Sequence, residues 1–214
     1  MNIDVLLNIC KQLCEASLET LSLFGATLLI GLPLGLILAL GRMSKFAPLQ
    51  YIIRAYLLVM RGTPLMLQLI FFWFVGLGAM GFSRMQTAMI AFGLNYAAYF
   101  CEIYRGGIES IPVGQREAAS VLGFTKAQTF FKIILPQVIK KVLPPMGNEF
   151  MTLVKDTSLA KIIGVIEITR VAERLQTQLV SIIPIVIAGV FYLIMNAVVS
   201  KCFNVAEKKL SYYR

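Results

Sequence analysis

Asp156, Thr157 and Ser158 lie in a run that is otherwise largely apolar, from the Pro144-Pro145 pair to about Ile168, with Lys155 and Lys161 on either side of them. A charge near the centre of a bilayer costs about 2.5–3.5 kcal/mol on insertion scales, so each one needs a partner or a task. If the helix unwinds here, the half-helix beginning at Leu159 presents free N–H groups and the positive end of its dipole. Such an end binds a carboxylate, and Asp156 with the two hydroxyls then orients the ammonium or polar side chain of a zwitterion. The competing reading is that Asp156 caps the half-helix and offsets Lys155 or Lys161. Glu102 is a second candidate. Asn95, Tyr99 and Glu102 recur at spacings of four and three, which puts them on one helix face able to line a polar cavity. Arg105, within one turn, offers Glu102 a plain helix-end ion pair instead. Thr63 and Gln68 complete the set of candidate substrate contacts, although Pro64 can simply start a helix that Thr63 caps.

The residue inventory excludes most other chemistry. The chain has no His, so the commonest general base and the commonest zinc ligand are both missing, and no catalytic group is assigned. Cys10, Cys14, Cys101 and Cys202 show no metal or haem spacing and read as apolar fillers; no metal site is expected. No G-x-x-x-x-G-K-[ST] loop occurs, so the chain cannot cradle ATP phosphates by that route. The formal charge of +9 is spread between apolar runs without a dense basic cluster, which argues against nucleic acid as a partner.

The elements that must position these residues are membrane helices. With 58% hydrophobic and 14% charged residues and a mean hydropathy of +0.77, the chain is too apolar for a soluble domain. Residues 3–19 carry Asp4, Lys11, Glu15 and Glu19 among apolar residues at helical spacing, which predicts an external or interfacial helix over 1–19. Membrane spans are expected at 20–41, 62–80, 86–104, 146–168 and 181–200. Gly31 and Gly35 form a small-xxx-small pair for close helix packing, with Pro33 bending the span between them. Residues 42–61 carry Arg42, Lys45, Arg54 and Arg61 with no acid, and 105–141 is again rich in Lys and Arg. Both connections are therefore placed on the cytoplasmic side, with the N-terminus outside and the C-terminus inside. The fold class is an all-α integral membrane protein of about five transmembrane helices, a single domain over 1–214.

The segment 112–141 interrupts this pattern with a helix-turn-helix outside the bilayer. Gly123 can take the left-handed conformation that closes a helix. Thr125 with Gln128 makes a capping box for the next helix, and Pro136 marks an end or kink. Glu117-Ala118-Ala119, three residues, Gly123, nine residues, Ile133, one residue and Leu135-Pro136 resemble the coupling loop in permease subunits of bacterial ABC importers. The stretches Arg61-Gly62-Thr63-Pro64-Leu65, Glu102-Ile103-Tyr104-Arg105-Gly106-Gly107-Ile108, Ile111-Pro112-Val113-Gly114-Gln115 and Lys155-Asp156-Thr157-Ser158-Leu159 resemble the polar amino acid uptake branch. Ala97 and Cys101 depart from that pattern, which has Ser and Ala there.

This resemblance implies a type I ABC importer permease core in which Glu117, Ala118, Ala119, Gly123, Ile133, Leu135 and Pro136 couple to an ABC ATPase subunit. It further implies a second permease copy or paralogue and an extracytoplasmic substrate-binding protein. No cofactor is expected on this chain, since ATP belongs to the partner. The expected cargo is a polar or charged amino acid, carried by alternating access across the bacterial cytoplasmic membrane. An ion-gradient-driven secondary transporter is the alternative, although only one span is clearly interrupted.

Overall fold

The first helix, α1, runs unbroken from Ile3 to Arg42, and its 40 residues extend about 60 Å at 1.5 Å per residue. The computed structural model describes residues 3–210. Nothing in the Ser17–Ser22 stretch breaks a helix, so the expected boundary between an interfacial helix and the first span does not appear as a break; the two are one rod. Ile9, Leu13, Ala16, Thr20, Leu23, Thr27, Gly31, Gly35 and Ala39 form its buried stripe at spacings of three and four. Thr20 and Thr27 donate their hydroxyls back to the carbonyls of Ala16 and Leu23, at 3.2 and 2.7 Å. At Gly35 a Cβ would come within 2.7 Å of the Phe100 Cβ and 3.0 Å of the Ala97 carbonyl oxygen. The glycine pair thus lets α1 lie directly against α4, as its spacing predicted.

Helices α2 (Ala47–Gly62) and α3 (Leu65–Phe74) meet at Thr63-Pro64, where Pro64 supplies no N–H to continue the ladder. Together with the 3₁₀ turn Leu77–Met80 they bend by 106°. The expected span at 62–80 is thus the second arm of a sharply bent pair. α4 (Arg84–Glu109) opens with a Ser83–Gln86 capping box. It buries Phe92, Asn95, Tyr96, Ala97, Ala98, Phe100 and Cys101, so it sits at the centre of the bundle, flanked by α1, α3 and α7.

α5 (Val113–Val121) ends at Gly123, φ +78°, and α6 (Lys126–Thr129) starts from the Thr125–Gln128 capping box. Both features follow the sequence reading. The chain then passes through a π turn, Phe130–Ile134, into α7 (Leu135–Asp156). Pro136 cannot donate to the Lys132 carbonyl and its ring crowds that oxygen, and the wide turn ahead of it relieves the crowding. α7 begins well before the expected 146, and Pro144 and Pro145 lie inside it rather than ahead of it.

A 3₁₀ segment, Thr157–Ile163, continues α7 and closes at Gly164, φ +84°. α8 (Ile168–Leu179) and α9 (Ile183–Lys209) complete the chain. Among the described residues, α1 and α9 are by themselves long and apolar enough to cross a membrane. α4 and α7 carry charges that composition alone counts against them, but these helices pack inside the bundle.

Three apolar clusters result among the described residues, the smallest joining Ala39 of α1, Ile53 and Leu57 of α2, and Ala98 and Cys101 of α4. Another joins Leu23, Leu69, Phe92, Tyr96, Phe100, Met146 and Leu153. The third joins Ile9, Leu13 and Ala16 of α1 with Ile168, Val171, Ala172 and Leu175 of α8 and Ala188 of α9.

Candidate functional site

α2, α3, α4 and α7 converge on a cavity of about 480 Å³ lined by Arg61, Thr63, Asn95, Tyr96, Tyr99, Glu149, Thr152 and Asp156, together with Leu159 and the Gly62–Leu65 bend. Four of the candidate contacts, Thr63, Asn95, Tyr99 and Asp156, therefore share one space although up to 93 positions separate them. The bend at Thr63-Pro64 turns backbone toward the interior, and α4 supplies the stacked aromatic wall. The Phe92 and Tyr96 rings lie parallel with centroids 6.4 Å apart, and Tyr99 sits 6.0 Å from Tyr96.

Asp156 is held on one side only. The Tyr96 hydroxyl donates to its Oδ2 at 2.8 Å. The Tyr96 ring is almost wholly buried and so holds its hydroxyl in place against the carboxylate, and charge-assisted bonds of this kind are the strong ones. Glu149 and Thr152 precede Asp156 by seven and four positions on α7, on the face turned to the cavity. Two carboxylates thus face a single guanidinium. Arg61 stands at the rim, its guanidinium 5.5 Å from the Tyr99 ring centroid in cation–π geometry.

Gln68 lies behind the wall rather than on it. Its Nε2 donates to the Met60 carbonyl at 3.0 Å and to the Thr63 hydroxyl at 2.8 Å, while its Oε1 accepts from Asn95 Nδ2 at 2.9 Å. Asn95 also donates to the Met60 carbonyl at 2.8 Å. These bonds use the carbonyl and hydroxyl groups freed by the bend and lock its angle. Thr157 is fully buried and bonds the Val154 carbonyl; Ser158 bonds the Lys155 carbonyl, and neither lines the cavity.

The expected half-helix terminus is absent. Asp156 and Thr157 both keep right-handed helical angles, so the backbone narrows from α to 3₁₀ without unwinding and exposes no fan of free N–H groups at Leu159. In its place, the cation available to a carboxylate is Arg61. Glu102 also stands apart. Arg105 donates to both of its oxygens, at 2.6 and 3.2 Å, and Arg61 approaches to 3.8 Å. That is the helix-end pair, extended by Arg105 to Glu109 at 2.5 Å.

Tyr96, Glu149 and Arg61 were missed in the sequence. Glu149 had a readable signal, since Glu149, Thr152 and Asp156 share a helical face. No motif in the sequence marks Glu167. It is fully buried, capping α8 by accepting from the N–H groups of Thr169 and Arg170, both at 2.7 Å, and from the Tyr192 hydroxyl at 2.8 Å.

At the other end, Glu117, Ala118 and Gly123 are exposed on the α5–α6 corner, Ala119 is buried, and Ile133, Leu135 and Pro136 are half-buried where the π turn enters α7. Val121 and Leu122 project beside them, 88% and 74% exposed.

Residues 31–212 match a family described as binding-protein-dependent transport system inner membrane component. The chain is 40% identical over 197 residues to the L-cystine transport system permease protein TcyB of Bacillus subtilis, covering 91% of this chain and 84% of that protein. It is 36% identical over 194 residues to the arginine transport system permease protein ArtQ of the same organism, covering 89% of each. The fold is similar to a chain in the crystal structure of an amino acid ABC transporter with histidines, with a TM-score of 0.87 and 32% identity over 98% of this chain and 99% of that one. An inward-facing MetNI methionine ABC transporter has the same fold at 18% identity, with a TM-score of 0.76 over 98% of this chain and 99% of that one.

Proposed function

This chain belongs to the family of binding-protein-dependent transport system inner membrane components, and we propose that it is the permease subunit of an ATP-driven importer that moves a polar or charged amino acid across the cytoplasmic membrane. The observation that carries the cargo class is the cavity between α2, α3, α4 and α7. It offers carboxylates, Asp156 and Glu149, to an ammonium group and one guanidinium, Arg61, to a carboxylate. A zwitterion presents both. The permease relatives carry names for cystine and arginine, which fits a ligand with an α-amino and an α-carboxyl group. The second carboxylate suits a cargo with an additional positive charge. The reading as an ion-gradient-driven transporter finds no support among these relatives.

Energy enters from a separate ATPase subunit docked on the α5–α6 corner. The exposed Val121 and Leu122 beside Glu117 supply an apolar contact ringed by charge, and Gly123 sets the angle between the two helices. α7 runs from that corner to Asp156, so a displacement of the corner reaches the cavity along one rigid element. We take α1, the bent α2–α3 pair, α4, α7 and α9 as five spans, and the excess of Lys and Arg in 42–61 and 105–141 supports an orientation with this corner inside and the start of α1 outside. A second permease copy or paralogue completes the pathway, and a substrate-binding protein delivers cargo from outside.

The test is to purify the tagged chain from native membranes, identify the ATPase that accompanies it, and measure uptake of labelled amino acids by proteoliposomes of that complex. ATP-dependent uptake of a polar amino acid is expected. Uptake that ignores ATP and follows an imposed ion gradient would overturn the assignment.

A further inference from the structure

A second cavity, of about 530 Å³, opens between the end of α1, α2 and the last turns of α4, and is lined by Arg42, Arg54, Leu57, Leu58, Arg61, Gly62 and Glu102. Three guanidinium groups face one carboxylate, and that carboxylate is already engaged by Arg105. Arg54 makes only a long 3.4 Å bond to Gln50 and lies beside the Tyr51 ring. The Nε of Arg42 is buried with no hydrogen-bond partner, an uncommon state for a guanidinium nitrogen. The cavity therefore holds unused donors in excess of its acceptors. Planar, forked donors of this kind match the oxygens of a phosphate.

Its surroundings select the source of that phosphate. On α2, Tyr51, Ile52 and Leu58 are exposed at 68%, 68% and 75%, and Val59 stands beside them. Such a face beside three arginines suits an amphiphile whose charged head enters the cavity while its acyl chains cover the helix. Basic pockets between membrane helices bind anionic headgroups on these terms. We propose that Arg42, Arg54 and Arg61 form a binding site for the phosphate of an anionic phospholipid, with Leu57 and Leu58 against its glycerol and first acyl carbons. Because Arg61 also borders the amino acid cavity, a bound headgroup holds that guanidinium at the rim and competes with Glu102 for it.

The experiment places the full chain, with whatever subunits copurify, in nanodiscs of equal phosphatidylglycerol and phosphatidylcholine, and counts the lipids retained on release by native mass spectrometry. The wild type is expected to retain phosphatidylglycerol over phosphatidylcholine by about tenfold, the equivalent of about 1.4 kcal/mol. R42Q/R54Q is expected to lose most of that preference, whereas R170Q/R174Q, at the opposite end of the molecule, keeps it. Absence of a preference in the wild type overturns the proposal without any variant, and covers the case in which a second protein copy occupies this face. Equal loss in both double variants reduces the effect to bulk charge and also overturns it. Inorganic phosphate added to the same mixed discs distinguishes a soluble anion: the retained phosphatidylglycerol is expected to stay in place, and its displacement by phosphate alone would reassign the site and overturn the proposal.

Discussion

Replacing Asp156 by Asn keeps the side chain's shape and its bond from Tyr96 while removing the charge that faces the cavity. The expected result is a KM for uptake raised about tenfold or more, since a hydrogen bond to a charged group contributes about 1.5–3 kcal/mol. Glu102→Gln is expected to leave KM within about twofold and to lower the thermal midpoint slightly, because a partly exposed ion pair within one helix contributes about 1 kcal/mol or less. Initial rates over a range of cargo concentrations separate the two; a KM raised by Glu102→Gln and untouched by Asp156→Asn would transfer the site to Glu102. Glu167→Ala orphans two backbone N–H groups and leaves the Tyr192 hydroxyl only its contact with the Thr169 hydroxyl at 3.1 Å, and is expected to cost about 1–3 kcal/mol, read as a drop in thermal stability in detergent. Asp156 was legible because a charge in an apolar run is anomalous on its own. Tyr96 was not, because a tyrosine in such a run is ordinary until its partner, sixty positions away, is placed beside it. Glu167 was hidden for the same reason: the Tyr192 hydroxyl that bonds it lies twenty-five positions away.

At the scale of elements, the α5–α6 corner rests on one backbone conformation. Gly123 has φ +78° and no atom within 4 Å of where a Cβ would stand, so the constraint is torsional and not steric. Asparagine tolerates that region and valine does not. Gly123→Asn is therefore expected to keep the ATPase bound on purification and Gly123→Val to lose most of it; equal retention by both would show that the corner angle does not matter for docking. This corner could be read from the sequence because a left-handed glycine and a capping box are local devices, complete within a few residues. The bend between α2 and α3 was half legible. Thr63-Pro64 announced a helix start, but the 106° angle is set by Gln68 and Asn95 gripping the Met60 carbonyl, and that grip joins three helices. The tandem prolines misled in the other direction: they read as a start, yet α7 carries them in its interior because its face toward α4 and α9 is already packed.

For the whole molecule, the proposed orientation puts the α1–α2 connection inside and the end of α8 outside. With the four native cysteines replaced by alanine, a membrane-impermeant maleimide added to intact cells is expected to label Gln178→Cys and not Ala47→Cys, and to label both once the membrane is opened; the reverse pattern would invert the topology. Composition announced a membrane protein at once. It could not announce that α1 is a single rod of about 60 Å, twice the roughly 30 Å hydrocarbon thickness, because an amphipathic half and an apolar half share the same helical period.

That length gives the molecule two solvents. If Arg42 marks one edge of the bilayer, as the proposed orientation has it, the hydrocarbon ends near Thr20, and Ile9, Leu13 and Ala16, packed on Ile168, Val171 and Leu175, lie beyond it. The cohesion of that cluster is the aqueous kind, entropic near room temperature and weaker on cooling. The cluster around Phe92, Tyr96 and Phe100 lies inside the bundle of proposed spans, where apolar side chains gain little by leaving lipid and cohesion comes from packing and polar bonds. One continuous helix is therefore held by burial from water at one end and by packing and polar bonds at the other, and cooling weakens the first kind of cohesion.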